Sequence, residues 1–89
     1  MRTEKELLKD FEKLGYKVES NNSFYLRLGI QIDENNFDQR KILINKDSKN
    51  YSKYILLDFE EDRSLNITMQ EHQLLNELFN LWGWINEEH

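Results

Sequence analysis

Any chemistry in this chain has to come from a few residues, and the densest candidate is Asp58-Phe59-Glu60-Glu61-Asp62. It puts four carboxylates into five positions. Clustered oxygen donors suit hard cations such as Mg²⁺ or Ca²⁺. The run lacks the alternating acids, the glycine and the closing Glu of an EF-hand loop. A metal-dependent nuclease of restriction type needs an Asp on one strand and a Glu/Asp-x-Lys on the next, to hold metal and activate water. The nearest sets, Asp38 with Lys41 and Lys53 with Asp58, have other spacings. Histidine occurs only at His72 and His89, so no helix offers a zincin pair at i and i+4. Ser and Thr have no partner His and acid for a triad. Gly15, Gly29 and Gly83 are isolated and cradle no phosphate. There is no cysteine, which excludes disulfides, thiolate zinc sites and cysteine nucleophiles. These residues point away from an enzyme, and no cofactor or metal is expected.

Binding is the remaining use for them. Asp58, Glu60, Glu61 and Asp62 read either as the solvated end of a strand or as an acidic patch. With Glu87 and Glu88 they would form a negative rim that steers a basic partner toward it. In its strongest form this is nucleic-acid mimicry, with carboxylates standing where phosphates would sit in a host protein. Eleven residues are Phe, Trp or Tyr, and Tyr25, Phe37, Tyr54 and Trp84 fall off the expected core faces. Aromatics bury much area at low entropy cost and serve well as interface anchors. Tyr25, Tyr54 and Trp84 are therefore candidate partner contacts. Together with Leu43 and Leu56, the two tyrosines would make an open face large enough to favour a homodimer, with that face or the Trp84 tail buried.

The elements that must position these groups are well signalled. Thr3-x-x-Glu6 is a capping box, and Leu7, Leu8, Phe11 and Leu14 form one apolar helical face. Gly15 suits a left-handed cap that folds Tyr16 back onto Phe11. A helix over 4–14 follows. Tyr16–Val18 suggests a short strand, and residues 20–23 a turn. Phe24, Leu26, Leu28, Ile30 and Ile32 alternate with polar residues, as in a half-buried strand. Ile42–Ile44 and Tyr51–Phe59 are further strands, with Ile55, Leu57 and Phe59 inward. Thr68-x-x-Glu71 is a second capping box before Leu74, Leu75, Leu78, Leu81, Trp82 and Ile85, which predicts a helix over 69–82. The expected fold is α+β in the order α-β-β-β-α. An antiparallel sheet of three or four strands is packed on one face by the N-terminal and C-terminal helices.

Eighty-nine residues without proline, repeat or linker make one domain, 1–89. Twelve Lys and Arg against 17 Asp and Glu leave a net charge of -5, which argues against direct nucleic-acid binding. No apolar run approaches the roughly 18 residues of a membrane span, and Met1–Asp10 has no signal-peptide character. A cytoplasmic location is expected. Ile67 to Leu75, with Leu78-Phe79 and Trp82-Gly83-Trp84, resembles the C-terminal block of small uncharacterised phage and prophage proteins of low-GC Gram-positive bacteria. That resemblance implies no activity and transfers no functional residue. In size, acidity and element order the chain is also similar to some small phage-encoded inhibitors of host defence, certain anti-CRISPR proteins among them. The expected function is a non-enzymatic accessory protein, phage or prophage encoded, that acts by protein–protein binding. The alternatives are a virion structural or assembly protein, a nucleic-acid mimic, and a metal-dependent nuclease.

Overall fold

The computed structural model describes residues 2–31, 39–57 and 60–84. Both helices are built by the same local code. In α1, Glu4–Lys13, the Thr3 side chain accepts from the Glu6 N–H while Glu6 accepts from the Thr3 N–H. In α2, Met69–Leu81, Thr68 and Glu71 repeat that exchange. Each helix also ends the same way. Gly15 and Gly83 adopt positive φ, 102° and 77°, a conformation that costs glycine little. Their N–H groups bond to the carbonyls of Glu12 and Asn80, and those of Tyr16 and Trp84 reach back to Phe11 and Phe79. This is the Schellman pattern, which satisfies carbonyls that a helix end would otherwise leave orphaned.

Five strands follow one another in a meander: β1 Lys17–Asn21, β2 Tyr25–Gln31, β3 Gln39–Asn45, β4 Asn50–Leu57 and β5 Glu60–Ser64. Their order in the sheet is their order in the chain, and every pair is antiparallel. The α+β class and the flanking helices agree with expectation. The strand count is a correction, because the sheet has five strands rather than three or four. Residues 17–21 make a full edge strand, bulged between Val18 and Ser20, where a shorter strand and a turn are expected. Residues 60–64, expected as a solvated strand end, pair with β4 as the opposite edge. All five residues of β5 are exposed. No apolar periodicity announces such a strand, and its charge is what keeps a free edge from aggregating.

One face of the sheet carries the core. Leu26, Leu28, Ile42 and Ile44 are fully buried against Leu7, Phe11, Leu75 and Leu78 of the two helices. Phe24 corrects the expected alternation, being 68% exposed rather than inward. The Asn22 side chain accepts from the N–H groups of Phe24 and Tyr25, so a turn holds Phe24 outside the strand. Ile32, Phe37, Phe59 and Ile85 lie outside the described residues.

Candidate functional site

Of the acidic run, Glu60, Glu61 and Asp62 lie on a strand, where side chains alternate between faces. Glu61 pairs with Leu56 and Glu60 with Leu57, while Asp62 is the extra residue of a bulge. Asp58, Glu87 and Glu88 lie outside the described residues. Among the described residues no three His, Asp or Glu side chains gather as a metal site. No helix among them is long and apolar enough to cross a membrane.

Tyr25 and Tyr54 do share the helix-free face of the sheet. Tyr25 pairs with Asn45, and Tyr54 with Lys41. They stand four residues apart along β3, roughly 13 Å. The Arg27 guanidinium sits 5.5 Å from the centre of the Tyr25 ring. Burial raises the Tyr54 phenol above its ordinary pKa, and the nearby Arg27 opposes that shift. Beside Tyr54, Lys41 is only 7% exposed and its ammonium is held by Glu19. Glu19 reaches it by lying over Gly29, where an added Cβ would stand 2.7 Å from a carboxylate oxygen.

A second buried cation is Lys53, which the sequence brings up only beside Asp58 and not with its real partner. It lies on the helix-covered face, opposite Ile42. Its ammonium donates to both Glu71 oxygens, at 2.8 and 3.2 Å. The same carboxylate accepts from the Tyr16 hydroxyl at 2.5 Å and the Thr68 N–H at 2.9 Å. Burial pushes the Glu71 carboxyl up, but the bonds from Lys53, Tyr16 and Thr68 outweigh it and hold the group below the ordinary glutamate range. Burial, then the bond to Glu71, drives the Tyr16 phenol well above its usual value. With two donors on each oxygen, this carboxylate clasps α2 to the sheet and to the end of α1. The signal that would have found it is a lysine in phase with Tyr51, Ile55 and Leu57.

The third candidate, Trp84, lies on the helix side, apart from Tyr25 and Tyr54. Its position is a consequence of the α2 cap, which folds the ring onto Phe79 at 4.9 Å with 14° between planes. Tyr51 meets the same Phe79 at 5.3 Å, and Trp82 lies 5.0 Å from Trp84. The Trp82 indole N–H donates to Glu4 at 2.9 Å. Lys46 ties this cluster to two turns. Its ammonium lies 5.0 Å from the Trp82 ring centre and donates to Asn21 and Asn22, while its N–H bonds the Phe24 carbonyl. Phe24 and Tyr51 are 68% and 38% exposed; Tyr51 packs on Phe79, and the backbone of Phe24 is joined to the same end through Lys46. Sequence reasoning picked out Trp84 but not Phe24, Tyr51 or Lys46.

No family model matches the chain, and no match is found among curated proteins or among solved structures.

Proposed function

We propose that this chain is a non-enzymatic accessory protein that acts by binding an apolar segment of another protein. The aromatic end serves as its docking site. The observation that supports this most is the exposure of Tyr51 against rings already locked by a helix cap, an ion–π contact and a hydrogen bond, with exposed Phe24 tied to that end through Lys46. Interface energy concentrates in such rigid aromatic anchors, because little side-chain entropy is lost when they bind. Glu60, Glu61 and Asp62 on the β5 edge add a negative field that favours a basic partner, affecting encounter rate more than affinity. A phage or prophage setting, suggested by the resemblance of residues 67–84, belongs to the same proposal.

The test is photo-crosslinking in the native host from a benzoylphenylalanine at position 24, with position 12 on the exposed side of α1 as the control. The expected result is a discrete protein adduct from position 24 alone, and the captured protein then binds the purified chain. Equal or absent adducts at the two positions would contradict the proposal.

A further inference from the structure

The helix-free face of the sheet has a charge layout that differs from that of the chain. Lys17 pairs with Gly29, and Gly29 with Lys41, which puts both lysines on this face. Arg27 stands on it as well, paired with Leu43. Against these three cations the β1–β3 half carries the Glu19 carboxylate, so that half is net positive among the described residues. At the other edge Glu61 pairs with Leu56, facing the same way beyond Tyr54. The molecule carries -5 overall, yet this face runs from positive at β1–β3 to negative at β5.

Such a face is complementary to itself under one symmetry. We infer that two copies of the chain pair through their helix-free sheet faces about a twofold axis parallel to the strands. That axis lays β1 of one protomer over β5 of its partner and β2 over β4, with β3 facing β3. The positive half then covers the negative edge twice, which is what an isologous contact requires. Lys17 comes opposite the strand that carries Glu61, offset by two residues or roughly 7 Å, about the reach of a lysine side chain. Arg27 lies opposite the strand of Tyr54, and Leu43 sits near the axis. An axis across the strands would instead set the positive half upon itself. Five strands about 4.8 Å apart and roughly 20 Å long offer about 500 Å² per protomer, or about 1,000 Å² in all, near the lower limit for a specific interface. The pairing is therefore a weak one, and it leaves both aromatic ends free.

Sedimentation velocity from micromolar to millimolar concentration tests this on the full chain. The wild type is expected to pass from monomer to dimer, with the transition moving to higher concentration as salt is added. Lys17→Glu and Glu61→Lys each set like charges against each other twice per dimer and are expected to weaken association about tenfold or more. The double variant, Lys17→Glu with Glu61→Lys, restores it. Both side chains are exposed, and circular dichroism confirms that each variant is folded. A wild type that stays monomeric at millimolar concentration would overturn the inference. So would a closed assembly larger than a dimer, single variants that associate as before, or a double variant that fails to recover.

Discussion

Glu71 shows how one residue takes on three tasks: it closes a capping box, neutralises a buried lysine and receives the Tyr16 hydroxyl. The Glu71 and Lys53 side chains are each only 7% exposed, so leaving either uncompensated is costly. Lys53→Met is expected to cost about 3 kcal/mol, and Glu71→Gln somewhat less because an amide oxygen still accepts. Chemical denaturation of both variants measures this. Glu71 has a depressed folded-state pKa, so its contribution is present above the ordinary glutamate pKa and is lost as pH falls through the lower folded value. The stability gap between wild type and Glu71→Gln is therefore expected to close on acidification. Asp10, also depressed by its bond with Arg2, titrates in both proteins and cancels in that comparison. Tyr16 runs the other way, since a raised phenol contributes below its ordinary pKa and loses that contribution as pH climbs above it. On the opposite face, Gly29→Ala is expected to push Glu19 off Lys41 and cost about 1 kcal/mol. In a Glu19→Ala background the same change should cost almost nothing. A double-mutant cycle in urea reads the difference.

At the scale of elements, what could be read from sequence is what is encoded locally. Thr3 with Glu6, and Thr68 with Glu71, announce both helix starts within four residues, and the spacing of Leu74, Leu75 and Leu78 marks the face that is buried. The last residues of the expected spans, Leu14 and Trp82, prove to be the C-caps of the helices. Gly15 followed by Tyr16 signals a folded-back aromatic, and the identical signal in Gly83 followed by Trp84 is what sets the aromatic end. Gly83→Ala meets no neighbouring atom and alters only the backbone at a positive φ. It is expected to cost about 1 kcal/mol and to weaken the near-ultraviolet circular dichroism of the tryptophans as Trp84 loosens from Phe79. β5 escaped the same reading because burial leaves no imprint on an edge strand exposed on both sides. Its neighbour β4 shows an unbroken apolar run from Tyr54 to Leu57, but Glu60–Ser64 contains no apolar residue at all. Lys53 with Glu71, and Glu71 with Tyr16, are separated by 18 and 55 residues. Only the assembled layers bring them together.

For the whole molecule, the layers sort the residues into surfaces that spacing alone could not assign. Tyr25 and Tyr54 fall on the helix-free face, Trp84 on the helix side, and the acids of β5 on both sides of an edge. By spacing Phe24 belongs with the core of β2, yet the Asn22 turn holds it out, at the end of the sheet where Lys46 bonds its carbonyl. On the proposed function, that end is where a partner binds. The most direct measurement is the affinity of the captured partner for the wild type and for Phe24→Ala, by calorimetry, with Glu12→Ala as the control. Phe24 is exposed, so its removal is expected to leave the fold and thermal midpoint unchanged while weakening binding about tenfold or more, the size of a central aromatic anchor. An affinity for Phe24→Ala equal to that of wild type and Glu12→Ala would contradict the account.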